Sequence, residues 1–286
     1  MNSLGARSRR GIWSLEAWRA KFSAMMIARL LPLALMLSVP AAAFAQPACP
    51  QFFPAGQPPA LTNARLGQRI TLLCNDAYAL LASGVTRGAL WSAEHLTAAS
   101  VEAARGTPRQ GNFHPEDRLP LTDQAQLEDY RRSGYDRGHM TPSGDMPDDQ
   151  AMQQSFSLAN MVPQASVLNR GLWASIESMM RTLASREGDL YLVTGPAFQG
   201  RQLKSIGPSG VLVPSATWKA VYDPHVRGAA VYVCRNVQKP SCSTVSVANL
   251  ISVVGVDPFP ALPAAVKQTA MTLPVPKSVY NRRSTR

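Results

Sequence analysis

The stretch "NRGLWASIESMMRTLASREGDLYLVTGPAF", residues 169 to 198, holds two hydrophobic rhythms back to back. In its first half Leu172, Trp173, Ile176, Met179, Met180 and Leu183 recur at steps of three and four, which gathers them on one face of an α-helix, and Gly188 supplies a stop. Trp173 falls in this stripe and reads as a core residue. The second half, "LYLVTGPAF", is a short apolar run bounded by turn residues, as a strand is. Three later runs, "GVLVPSATWKAVYD" (210–223), "AAVYVC" (229–234) and "NLISVVGV" (249–256), read the same way.

Working upstream, "GALWSAEHLT" (88–97) has strand character, and "QRITLLCNDAYALLAS" (68–83) reads as a strand running into a helix or turn. Residues 105–122, rich in Gly, Pro and charge, read as a long loop, and a loop of that length in a compact domain is often functional. Residues 124–134 suggest a short helix ending at Gly134, followed by a brief extended piece, "YDRGHM". Helices set among strands predict one α+β domain with a mixed or antiparallel sheet core, over residues 46–260. A Pro-rich, basic tail, 261–286, is expected after it.

The chain has 286 residues, 45% of them apolar, which is ample for a buried core and excludes disorder of the whole. Its net charge is +11, and residues 1–45 hold six basic groups against one acid, so the remainder keeps +6. The same front carries basic residues, then "LLPLALMLSV" (30–39), then "AFA" (43–45), the order of an export signal, with cleavage expected after Ala45. Met25 or Met26 could equally begin a signal of ordinary length. The apolar run is short for a bilayer span, so a soluble periplasmic or secreted product without stable membrane association is expected.

Four cysteines in an exported chain favour two disulfides. Of the three pairings, Cys49 with Cys74 and Cys234 with Cys242 is preferred, since the second would clip a loop between two strand-like runs. Zinc is the rival reading, but no cysteine pair has ligand spacing and no histidine lies near one.

Of four histidines, His139 stands in unusual company, behind Asp136, Arg137 and Gly138, where the glycine is expected to let the backbone present the imidazole on a bend. A neutral imidazole takes a proton from water if something positions it. His95, His114 and His225 lack such neighbours and read as surface or structural. Asn169 has two readings. It opens the helix, where asparagine commonly caps free amide groups, and its amide oxygen also suits a hard cation such as Mg²⁺. Glu177, eight residues on, lies near the same side of that helix and could hold a metal-bound water.

In order, "DRGH", "MTPSGDM" and "SFSLANMVPQASVLNRGLWASIE" (155–177) resemble the sugar-nonspecific DNA/RNA endonucleases, the family of secreted bacterial nucleases and mitochondrial endonuclease G. The likeness spreads to "LWSAEHLT", "TPRQGNF" (107–113), "YLVTGPAF" and "VLVPSATWKAVY", over roughly 85–260. It implies a ββα-metal site in which His139 is the general base and Asn169 binds Mg²⁺ or Mn²⁺ directly, while Glu177 holds metal-bound water. Arg109 and Arg137 would face phosphate, and Asn160 and Asp136 would support the site. It further implies DNA and RNA as substrates, 5′-phosphate products and little sequence preference, and leaves a homodimer open. Two other readings stay on the table: an exported nucleic-acid-binding protein without catalysis, and a hydrolase of small phosphodiesters.

Overall fold

The computed structural model describes residues 48–277, so the expected leader and the terminal arginines lie outside the described residues. Its centre is a seven-stranded antiparallel sheet. In chain order the strands are β1 (Ile70–Cys74), β2 (Ala79–Ser83), β3 (Gly88–Thr97), then, after a two-stranded excursion β4 (Asp136–His139) and β5 (Met161–Gln164), β6 (Asp189–Ala197), β7 (Ala216–Asp223), β8 (Gly228–Arg235) and β9 (Cys242–Val245). Across the sheet the order is β9-β8-β7-β6-β3-β2-β1.

Both faces of the sheet are covered, which explains why its inner strands are apolar almost throughout. On β6, Leu190 and Leu192 turn to one side with Val221 and Tyr232, and Tyr191 and Val193 turn to the other with Trp91 and Trp218. The first face is roofed by the helix α3 (Ala174–Glu187), whose Ile176, Met180 and Leu183 enter the core together with Trp173. Burying each of these side chains contributes about 1.5–3 kcal/mol. The opposite face is closed by Phe52, Phe53, Phe259 and the helix α4 (Val247–Val254). A third cluster, built on Leu80 of β2 with Met140, Met146, Met152 and Phe156, joins the sheet to the loops around β4.

Several local expectations change. Residues 75–83 form a turn and the strand β2, antiparallel to β1, because Leu80, Leu81 and Ala82 are all enclosed between layers. "NLISVVGV" falls largely within α4, whose end signals outweigh its β-branched content: the Ser246 hydroxyl accepts from Asn249 N–H at 3.2 Å, and Gly255 closes the helix at φ 77°. The start of the expected 105–122 loop is the end of a helix, α1 (Ala98–Gly106), opened by a reciprocal cap between Thr97 and Ser100. The helix before Gly134, α2, is confined to Leu127–Tyr130.

Both preferred disulfides are present. Cys49–Cys74 ties the start of the described chain to β1, and Cys234–Cys242 joins directly paired positions of β8 and β9.

Candidate active site

The DRGH segment is β4, paired antiparallel with β5 so that Arg137 lies opposite Pro163 and His139 opposite Met161. Gly138 is not at a bend, as the sequence suggested. It sits within the strand, where a Cβ would come 2.6 Å from Cβ of Gln164, so the glycine is required by the close passage of a neighbouring side chain. Beyond His139 the chain is pinned at Thr141. The Asn160 carboxamide accepts from Thr141 N–H (3.0 Å) and donates to Thr141 O (2.8 Å) and Ser155 O (3.0 Å). The Thr141 hydroxyl also meets Ser92 Oγ of β3 at 2.6 Å. Asn160, wholly buried, is thus a brace for the histidine strand.

Asn169 lies inside a π-helical turn, Leu168–Trp173, that runs into α3. Its own N–H bonds Ala165 O at 2.9 Å, and its side chain makes no cap. Instead Nδ2 donates to Asp136 Oδ2 at 3.0 Å. Asp136 also accepts from Arg170 through Nε (2.8 Å) and Nη2 (2.7 Å), and from Ser166 Oγ (2.9 Å). Partial burial pushes the Asp136 carboxyl up, but these donors outweigh it and hold the group below the usual carboxylate range. Asp136 therefore stays anionic and fixes the orientation of Asn169. With the amide nitrogen on the carboxylate, the amide oxygen is the part left for a ligand.

Asp136, Asn169, Arg109 and Arg137 line one cleft of about 730 Å³, together with Phe113 and Tyr135. His139 is outside that lining, with 8% of its surface exposed. It is set edge-on to Phe156 (ring centres 5.2 Å apart) and tilted to Phe113 (5.8 Å). The Arg137 guanidinium lies 4.1 Å over the Phe113 ring, and Arg109 lies 5.7 Å over Phe156. His139 Nε2 is buried without a hydrogen-bond partner. Burial, and then the positive charge of Arg109, push this imidazole down to about 3, so it is neutral at ordinary pH. Phe113 and Phe156 were not read from the sequence as site residues, since phenylalanines carry no titratable signal.

Glu177 is also apart from the cleft lining. It belongs to an ionisable cluster under the site with Glu94 of β3, Asp145, Lys219 of β7 and Arg181. Desolvation pushes the Glu177 carboxyl up to about 7, against the pull of Lys219. Lys219, fully enclosed, donates to Thr194 Oγ1 at 2.5 Å, lies 5.7 Å over the Trp173 ring and stands 4.0 Å from Glu94. Arg181 of α3 donates to Asp145 Oδ1 at 2.7 Å, which ties the loop after His139 to the helix bearing Glu177.

A second brace was not read from the sequence. Asn236, just past β8 and 7% exposed, accepts from Ala165 N–H at 2.7 Å and donates to Pro163 O and Pro214 O, each at 2.9 Å. It joins the strand opposite Arg137 to the residue whose carbonyl receives the Asn169 amide. Of the other three histidines, His95 Nε2 meets Asp189 at 2.8 Å, His114 contacts Pro115 and Gln153 carbonyls, and His225 is exposed on the surface.

Among the described residues no three His, Cys, Asp or Glu side chains are grouped to hold a metal ion. A cation at the Asn169 amide oxygen would therefore keep mostly water ligands, which suits a hard, strongly hydrated ion and not zinc. The donor set fits such an ion.

Comparison with known proteins shows the family. The family model described as DNA/RNA non-specific endonuclease matches residues 58–265. Endonuclease G, mitochondrial, from Bos taurus is 32% identical over 216 residues, 71% of this chain and 71% of its own. A nuclease of Syncephalastrum racemosum is 42% identical over 130 residues, 44% of this chain and 41% of its own, and Nuclease 1, mitochondrial, of Schizosaccharomyces pombe is 34% identical over 183 residues, 60% and 54%. The chain thus spans about half the length of these two fungal relatives. The crystal structure of the EndoG/EndoGI complex aligns with a TM-score of 0.64 and 25% identity over 74% of this chain and 97% of that one. With its family model matched along most of the described residues and its histidine strand and asparagine turn joined through one aspartate, the chain belongs to the DNA/RNA non-specific endonucleases.

Proposed function

We propose that this protein is an exported, Mg²⁺-dependent endonuclease that hydrolyses phosphodiester bonds of DNA and RNA with little sequence preference. The observation that carries the reading is the Asp136–Asn169 contact, which fixes a carboxamide oxygen in an arginine-lined cleft beside a neutral, unpartnered imidazole. Nε2 is unpartnered and so free to accept: His139 Nε2 takes one proton from the attacking water as the water oxygen bonds to phosphorus. The bond from phosphorus to the 3′ oxygen breaks, leaving a 5′-phosphate and a 3′ hydroxyl that takes its proton from solvent. Arg109 and Arg137 grip phosphate oxygens, and the phenylalanines beneath them limit the positions their planar groups adopt. Asn169 would hold the cation, with Glu177 holding its water. Such an ion supplies positive charge to the phosphate and to the departing oxygen.

Contacts of this kind address the backbone and not the bases, which supports weak sequence preference and strong salt sensitivity. Export is supported by the leader-like first 45 residues and by two disulfides, and no helix among the described residues is long and apolar enough to cross a membrane. The test is digestion of plasmid DNA, RNA and a small chromogenic diester by the purified mature protein, with and without chelator. Cleavage of both polymers that stops with chelator is expected, and binding without cleavage would refute the proposal.

A further inference from the structure

Tyr135, immediately before the DRGH strand, lines two hollows. One is the cleft just described, and the other is a hollow of about 320 Å³ lined also by Lys204, Arg235, Gln199, Gln202 and Asn236. Resting on the endonuclease reading, we propose that a single polynucleotide strand leaving the catalytic cleft passes Tyr135 into this second hollow, where Lys204 and Arg235 hold its phosphates.

Charge is the first argument. In the main cleft two of the arginines are committed to carboxylates, Arg131 to Glu128 and Arg170 to Asp136. The second hollow has no acidic residue in its lining, and Lys204 and Arg235 are exposed and have no ion pair among the described residues. Two uncommitted cations facing the same water-filled space repel each other unless an anion comes between them.

Rigidity is the second argument. Lys204 precedes a small hairpin (Ser205–Ile206 paired with Val211–Leu212), and its carbonyl accepts from Val213 N–H at 2.8 Å. Arg235 ends β8 beside the Cys234–Cys242 bridge, with its N–H on Ser241 O at 3.0 Å. Both cations are therefore carried by braced backbone, which lowers the ordering cost of gripping a ligand. Of the glutamines in the lining, Gln199 already donates to Val253 O at 3.0 Å, and the Gln202 amide can donate to or accept from any base edge, consistent with sequence-tolerant binding. Tyr135, at the junction, offers a ring on which an unstacked base can lie, and this favours a single strand over a duplex.

The test uses the full mature protein and the double variant Lys204→Ala/Arg235→Ala, both on the surface. Binding of a fluorescent single-stranded oligonucleotide is measured in the His139→Ala background, so that the track is read without catalysis. Losing two phosphate contacts should make the log–log salt dependence of binding shallower by roughly 1.4, at about 0.7 per contact for a single strand. In the active protein, the gain in kcat/KM from a dinucleotide to a long oligonucleotide should shrink about tenfold or more, through KM. Tyr135→Ala should weaken binding where Tyr135→Phe does not. An unchanged salt slope, or an equal loss on dinucleotide and long chain, would overturn the track and leave the catalytic reading standing. A slope shallower by that amount in the double variant of a protein that cleaves nothing would sustain the phosphate grip of the second hollow and refute the catalytic reading.

Discussion

Replacing Asp136 tests the link on which the site depends. Its carboxylate receives four donors, one of them the Asn169 amide at 3.0 Å. A hydrogen bond to a charged group contributes about 1.5–3 kcal/mol, and 1.36 kcal/mol is a factor of ten. In Asp136→Ala the Asn169 side chain should therefore spend roughly ten- to a hundredfold less time with its oxygen in the productive direction. The same factor should separate the Mg²⁺ concentrations at half-maximal cleavage and the Mg²⁺ affinities measured by calorimetry. Stability should fall less, because the Arg170 side chain is 63% exposed and its ion pair is screened by solvent. The sign with pH is fixed: the folded carboxyl lies below its unfolded value, so its contribution is present above about pH 4 and lost as pH falls through the folded pKa. Wild type and variant should converge in stability once the pH has fallen below the folded pKa. A folded Asp136→Ala protein with an unchanged Mg²⁺ midpoint would refute the reasoning.

Four further outcomes follow from the same geometry. His139→Gln should lose cleavage by at least a hundredfold while keeping nucleic-acid binding, and it should flatten the loss of stability with acid that the neutral imidazole imposes from about pH 6.5 down toward 3, read by denaturant melts across that range. In metal-free protein Glu177→Gln should be the more stable form at pH 8, because wild type loses stability as pH rises from about 4.3 toward 7, where the unfolded chain releases a proton that the folded carboxyl retains; equal melting temperatures in chelator would contradict this. Asn236→Ala removes three buried hydrogen bonds and should raise the Mg²⁺ midpoint as well as lower the melting temperature, whereas a purely structural residue would change only the latter. Replacing Cys49 and Cys74 by serine opens a 25-residue loop and should cost about 3.5 kcal/mol in urea unfolding.

The sequence carried most of the sheet and the order of the site residues, because both are written in side-chain type and spacing. The strand over 88–97 and the helical stripe from Leu172 to Leu183 have periods that only one element satisfies. It was ambiguous where two signals competed: 247–254 is apolar and β-branched, and only the flanking Ser246 and Gly255 mark it as a helix. The short helix 98–106 was hidden by reading its end as loop, although Thr97 and Ser100 had the spacing of a cap. Within the site, Asn169 was legible as a residue but its orientation was not, since that is set by Asp136 on a strand 33 residues away. Phe113, Phe156 and Asn236 carry no signal in the sequence because an aromatic wall and a backbone brace exist only once distant segments are brought together.

Glu94 and Lys219 sit on two strands of the central sheet that flank β6, 4.0 Å apart and sealed from water. Desolvation pushes the Glu94 carboxyl well up, and Asp145, Glu177 and Arg181 share the same enclosure, so taking away the Lys219 cation would leave several acids unbalanced and cost about 3–5 kcal/mol, whereas exchanging a complete balanced set for well-fitted apolar side chains can be neutral. The cluster is therefore locked as a group: a designed library that varies Lys219 must vary its acidic neighbours too, and a drift toward a greasier interior would have to cross a destabilised single-mutant step to reach it.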